Sequence, residues 1–404
     1  MNKSKLANEG KKWVKDGLIS EEQLQAILSR YQLRDHRYLL VLFATLFVSI
    51  GILIYVLSDW AQVSNMIRIG IMIISMLVLY GLGDHYYKNE TEEFSVYPQI
   101  VSISFLVLGY IFFGATLLLL IHLYDVILLS VWPYIIWALT GLVLYFLYPH
   151  KLIFLSGIAV TVYSQLYSSF ALYEFSLWTF LIFLIGYGWI AYKRNDVLIS
   201  SIVAVGLVIH SLIATNYVTN EYYWFALYMF IVYLFSEFIP KQTIRQTFYY
   251  AAIFSIYIYK TFETFMFQDE TSFTDITYEP SFLIILSIGI IGMILYVIIS
   301  KKLYKLIEIS LFIPLFFLPF NYVYIILSMF IFSLFYLIYG FQQKNQANIM
   351  VGTITFLLST FTAYVQYAWE ALNKSLFFII GGLLLFGISF ILERLRRKRE
   401  QGES

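Results

Sequence analysis

Three ionisable side chains stand out because they lie well inside long apolar stretches of this sequence: His210, Lys260 and Glu263. An ionisable group surrounded by hydrocarbon is costly, so each is a candidate for function. Lys260 and Glu263 are three residues apart, which places them on one face of a helix and within reach of an ion pair. Such a pair lowers the cost of burial and can also exchange a proton or bind an ion. Gln165, His210 and Lys260 each lie roughly thirteen residues into their own apolar stretch, about 20 Å at the rise of an α-helix. If these stretches are adjoining helices, the expectation is an outward-open, water-accessible cavity lined by Gln165, His210, Lys260 and Glu263. A second reading of the same residues is structural. Lys260 extends toward headgroups while its stem stays in the apolar layer, and Gln165 and His210 bond neighbouring helices for about 0.6 kcal/mol each.

Other chemistry finds little support. The chain has no cysteine, which removes disulfides, thiolate metal sites and thiol nucleophiles. It contains no H-E-x-x-H, no phosphate-cradling G-x-x-x-x-G-K-[ST] and no acidic cluster suited to metal-dependent transfer. His122 and Asp125 share a short turn without further ligands. No catalytic residue, metal or cofactor is therefore assigned, and nothing in the pattern makes an enzyme. Glu237, just before Pro240, and Glu308, close to Lys301, Lys302 and Lys305, are expected at the inner interface.

The elements that hold these residues follow from composition. Charged residues make up 13% of the 404 and the mean hydropathy is +0.77. Water-soluble domains carry about 25% charged residues, so lipid is the solvent this chain requires. Apolar runs long enough for a hydrocarbon core of roughly 30 Å fall at 38–58, 66–83, 99–121, 127–147, 152–171, 176–192, 197–214, 222–239, 247–267, 281–300, 305–320, 322–341, 348–368 and 375–393. The expected fold is all-α and polytopic, with about fourteen transmembrane helices. The run at 305–320 contains Pro314 and Pro319, which predict a kinked or broken helix.

Lysine and arginine gather on alternate connections: Lys88, Lys151, Lys193, Arg194, Lys241, Arg245, Lys301, Lys302, Lys305 and Lys344 on one side, with the basic tail 394–404. The other side holds Arg68, Lys374 and the acidic loop 268–280. This bias predicts cytoplasmic N- and C-termini. Trp60, Trp178, Trp224 and Trp369 fall near the expected outer ends, where amphipathic rings favour the headgroup level.

Residues 1–37 form a separate polar unit ahead of the membrane domain 38–393, and they lack the early apolar stretch of a signal peptide. The first span is thus expected to stay as an uncleaved anchor. Ser20 and Gln23 have the spacing of a capping box. Leu24, Ile27, Leu28 and Tyr31 then make one apolar stripe, and the unit reads as a cytoplasmic αα-hairpin. So small a core needs outside support, from the membrane domain or from a protein partner. Eight basic residues stand against five acidic ones without a continuous basic face, which argues against nucleic acid. Anionic lipid explains the lysines better.

The segment Trp13-Val14-Lys15-Asp16-Gly17-Leu18-Ile19-Ser20-Glu21-Glu22-Gln23, with Ile27 and Tyr31, resembles the bacterial membrane proteins grouped as domain of unknown function 2157. The likeness continues through Asp59-Trp60, Gly114-Ala115 and Ile121-His122-Leu123-Tyr124, covering roughly residues 6–140. Relatives often show Asn-Trp at the first of these places and Gly-Gln before the tyrosine at the last. The resemblance implies a bacterial inner-membrane location and supplies no reaction, cofactor or catalytic residue. Many spans, a proline-broken helix and scattered buried polar groups lead to the expectation of a transporter- or flippase-like protein for an amphipathic or envelope-related solute. The alternative is a membrane scaffold or sensor recruiting a partner through its hairpin, and a third reading is an intramembrane enzyme acting on lipid-linked substrates.

Overall fold

The structure is a computed structural model that describes residues 13–14, 19–21, 23–24, 37–57, 63–88, 96–124, 130–219, 221–266, 279–315, 318, 320–368 and scattered positions between 375 and 390. Asp59, Trp60, Asp125, Pro319, Trp369, Lys374, most of the hairpin, the loop 268–278, most of the run 375–393 and the tail 394–404 lie outside the described residues. Among the described residues the chain is helical throughout, with no strand.

Among the described residues, seven helices are long and apolar enough to cross a membrane: Asn65–Lys88, Ile100–Leu123, Lys151–Leu172, Val197–Thr219, Pro280–Ile299, Asn321–Gln342 and Gln346–Tyr367. Shorter apolar helices occupy Phe43–Ile52, Trp132–Leu147 and Trp224–Phe238. The helix Gln242–Met266 is long enough but carries Arg245, Lys260 and Glu263. The all-α membrane class therefore holds, and each apolar run from 38–58 to 348–368 coincides with helix over all or part of its length.

The chain divides into two compact units, Met1–Gly157 and Ile158–Ser404. In the first, Ser20 N–H donates to Gln23 Oε1 (3.0 Å) and Gln23 N–H to Ser20 Oγ (3.1 Å), the reciprocal pair of a capping box. Helices α1 (Arg37–Leu57) and α2 (Asn65–Lys88) pack on α3 (Val96–Tyr124), which is followed by α4 (Trp132–Leu147). The α3–α4 contact is built around Trp137. Its indole N–H donates to the Tyr110 carbonyl (3.1 Å), and the Tyr110 hydroxyl donates to the Trp137 carbonyl (2.9 Å). The same ring lies against the backbone of Gly114, where an added Cβ would come within 2.0 Å of it. Gly114→Ala is therefore expected to destabilise this unit by about 1–3 kcal/mol, as overpacking generally does. Denaturant unfolding in detergent checks this; an unchanged midpoint would mean that the indole does not sit there.

At the other end of the same unit, Asp84 accepts from Lys88 Nζ (2.6 Å) and from the Tyr148 hydroxyl (2.7 Å). Burial, and then the bond to Asp84, push the Tyr148 phenol up to about 12, so it remains a donor at any physiological pH.

The second unit begins within α5 (Lys151–Leu172). It continues through α6 (Leu177–Leu181), a π-helical stretch (Ile182–Tyr187) and α7 (Gly188–Arg194), which run on without a break. Then follow α8 (Val197–Ala214) with a π-turn extension (Thr215–Thr219), α9 (Trp224–Phe238), α10 (Gln242–Met266), α11 (Pro280–Ile299), α12 (Lys305–Ser310), α13 (Asn321–Gln342) and α14 (Gln346–Ala368). The core lies among α9 to α14. Helix α11 shows how the helices meet lipid. Phe282, Leu286, Met293 and Val297 are buried on one face, while Ile284, Ile288, Ile291 and Leu295 stand more than half exposed on the other. A fully apolar outer stripe of this kind is a lipid-facing surface.

Helices α13 and α14 approach at glycine: a Cβ on Gly352 would lie 2.5 Å from the Leu337 backbone nitrogen. The Tyr257 hydroxyl then ties α10 to both, within reach of the carbonyls of Met329 (2.9 Å) and Thr355 (3.0 Å) and of the Ser359 hydroxyl.

The expected break in the run 305–320 is present. Helix α12 ends at Ser310, tightens through Leu311, Phe312 and Ile313, and leaves helical geometry at Pro314. The missing proline N–H and the ring's clash one turn back account for this. The chain re-enters helix after Phe320, whose φ of 57° is left-handed, a strained setting for a bulky side chain.

Candidate functional site

Lys260 and Glu263 do form an ion pair, with Nζ and Oε2 2.8 Å apart and both side chains shielded almost completely. They lie in the last two turns of α10, where a spacing of three residues aligns them. The ammonium also donates to the Ile313 carbonyl (3.2 Å). A continuing α12 would have bonded that carbonyl internally, so the proline break supplies the lysine's second acceptor. Two polar atoms nearby are left open. Among the described residues, Glu263 Oε1 is buried without a partner, and so is the Tyr259 hydroxyl. An ammonium has three donors, and only two of them are engaged here. The site is thus a shielded charge pair with a carboxylate oxygen and a tyrosine hydroxyl left unbonded among the described residues.

His210 is fully buried on α8. Its Nδ1 lies 2.7 Å from the Gly206 carbonyl, its ring stacks on Phe183 at 4.3 Å, and Phe180 stands 5.7 Å away. Because a carbonyl only accepts, Nδ1 carries a proton, and Nε2 is without a partner among the described residues. The π-helical stretch presents Phe183 to this ring, and a Cβ on Gly206 would strike Phe183 at 2.6 Å. Gln165 on α5 is equally buried, but its amide is taken up. With the amide turned to satisfy both contacts, its nitrogen donates to the Ser176 carbonyl (3.0 Å) and its oxygen accepts from the Ser176 N–H (3.2 Å). Ser176 itself caps α6, its hydroxyl accepting from the Thr179 N–H (3.3 Å). Gln165 therefore clamps the turn that starts α6. Of the four residues the sequence singles out, the structure joins Lys260 to Glu263, while His210 and Gln165 have separate partners.

A second polar cluster surrounds α12, and here the expectation of simple interfacial residues for Glu237 and Glu308 needs correction. Glu308 is 1% exposed. One carboxylate oxygen accepts from the Tyr233 hydroxyl (2.7 Å) and the other from the Tyr336 hydroxyl, which in turn shares a hydrogen bond with Tyr249. One turn earlier, Lys305 is ion-paired with Glu237, both more than nine-tenths buried. The ammonium also sits about 6 Å from the rings of Tyr233, Tyr249 and Tyr304. Glu237 and Tyr233 are four apart on α9, and Lys305 and Glu308 three apart on α12, so each pair shares a face; these spacings are the signals of this cluster readable along the chain. Its other members come from α10, α12 and α13. Their convergence is a property of the tertiary fold.

The discontinuous helix, the two buried ion pairs and the lipid-facing outer surface define an all-α integral membrane protein. A family profile described as "Predicted membrane protein (DUF2157)" matches residues 11–154, in agreement with the resemblance over the N-terminal third. No curated protein and no solved structure matches the chain.

Proposed function

We propose that this protein is transporter- or flippase-like and passes an amphipathic or envelope-related solute across a bacterial inner membrane, with both termini cytoplasmic. The observation that carries this reading is the Lys260–Glu263 pair seated on the carbonyl that the break in α12 sets free. Non-helical backbone at membrane depth is tolerated where it is buried in protein or lines a cavity, and transporters place their binding sites at such breaks. The open valences of Glu263 and Tyr259 are where a polar headgroup would bond while its apolar part stays among the aromatic side chains of α9 and α10.

The chain's lack of cysteine makes the test direct. Single cysteines at Gln165, His210, Lys260 and Glu263 are expected to include at least one that reacts with a membrane-impermeant thiol reagent added outside cells. If all four stay unmodified, the water-accessible pathway is refuted.

A second reading is a scaffold or sensor that binds a protein partner through the N-terminal hairpin, favoured by the capping box formed by Ser20 and Gln23. Deleting residues 1–34 would abolish function under that reading and largely spare a transporter.

A further inference from the structure

The tyrosine-rich cluster at the start of α12 opens into a recess of about 410 Å³, within the size range of small-ligand sites. Its walls come from the end of α9, the first turns of α10, the segment 302–308, the last turns of α13 and the start of α14. What matters is which polar groups there are already used. Glu237 is neutralised by Lys305, and both oxygens of Glu308 accept from tyrosines. Asn345 Oδ1 is occupied by the backbone N–H groups of Ala347 and Asn348.

The groups still able to bond a guest are mostly donors: the Arg245 guanidinium and the Lys302 ammonium, with the amides of Gln246 and Asn348 beside them. Among the described residues, neither Arg245 nor Lys302 has a carboxylate within ion-pair distance. Two cations outside any printed ion pair, Arg245 and Lys302, thus line the recess beside one carboxylate paired with Lys305 and one capped by tyrosines. Tyr304 and Tyr339, stacked at 5.2 Å, add an aromatic wall.

We propose that this recess binds a phosphate group, gripped by Arg245 and Lys302 at its mouth with Lys305 behind. A planar guanidinium matches phosphate oxygens bidentately, and lysine adds a point charge. The group belongs either to an anionic lipid headgroup or to a soluble phosphate. The site is independent of the Lys260–Glu263 pair, since Arg245 and Lys260 are about 22 Å apart along α10. Thiol labelling at Glu263 therefore succeeds or fails separately from phosphate binding at this recess.

The test uses the full chain in phosphatidylcholine nanodiscs, in two arms. One adds phosphatidylglycerol to the discs and reads bound lipid by native mass spectrometry. The other titrates inorganic phosphate and glycerol 3-phosphate by calorimetry. Arg245→Gln/Lys302→Gln is compared with the wild type and with Lys301→Gln/Lys344→Gln, which removes two exposed lysines that do not line the recess. The expected result is binding by the wild type in at least one arm, about tenfold weaker in the first double variant and unchanged in the second. Binding only to phosphatidylglycerol identifies a lipid headgroup, and binding only to the soluble probes identifies a free phosphate. The proposal is overturned by no binding in either arm, by undiminished binding in the first variant, or by equal loss in both variants.

Discussion

Lys260→Met is expected to destabilise the protein by about 3–5 kcal/mol, the usual cost of removing one partner from a buried ion pair. The reason is the charge left behind. Glu263 is 1% exposed and already has one oxygen without a partner, and losing Lys260 would strip the other. The Ile313 carbonyl would lose its donor as well. Replacing both residues, as Lys260→Met/Glu263→Leu, is expected to recover most of the loss, because similar-sized apolar side chains fill the space without an uncompensated charge. Denaturant titration in mixed micelles measures all three proteins. A single variant as stable as the wild type would mean that Glu263 loses nothing with its lysine, and the ion pair as a stabilising contact would have to be abandoned. Under the transport reading, the recovered double variant folds but no longer carries solute.

Glu308→Ala is expected to cost about 3 kcal/mol, and Glu308→Gln about half of that. The carboxylate accepts from Tyr233 and Tyr336, and Tyr249 is held through Tyr336. Alanine leaves these hydroxyls buried without an acceptor, at about 1–3 kcal/mol for each that finds no new partner. Glutamine keeps one acceptor oxygen. A neutral interhelical bond in a membrane is worth only about 0.6 kcal/mol, but these bonds end on a charge inside a shielded network, where losses are larger and non-additive. The diagnostic is therefore the cycle of Tyr233→Phe, Tyr336→Phe and their combination. Strictly additive losses of about 0.6 kcal/mol each would show that Tyr233 and Tyr336 do not act as one network around Glu308.

The two clusters differ in how far the chain announced them. Lys260 and Glu263 interrupt an apolar run three residues apart, and helical periodicity alone places them on one face. Pro314 likewise forecast the end of α12, because a proline cannot supply the helical N–H at any position. Ser20 and Gln23 specified their capping box for a related reason: local hydrogen bonding depends on spacing within one turn. The recess at α12 could not be read this way. Lys305 and Glu237 are 68 residues apart, Tyr336 and Glu308 28, and Tyr249 and Tyr336 87. Nothing in a hydropathy pattern distinguishes a tyrosine anchored at the headgroups from one donating to a buried carboxylate.

The same division applies to the whole molecule. Apolar length and the scarcity of charge determined by themselves that these segments are helices in lipid, since hydrocarbon leaves a lone segment no other way to satisfy its backbone. They also determined which buried polar residues had to find partners. Which partners those are was decided only by tertiary packing. Gln165 went to the Ser176 backbone, His210 to Gly206 and Phe183, and Lys260 to a carbonyl released across the bundle. A side chain's periodicity fixes the direction it faces within its own helix, whereas the helix it meets depends on how all the others pack.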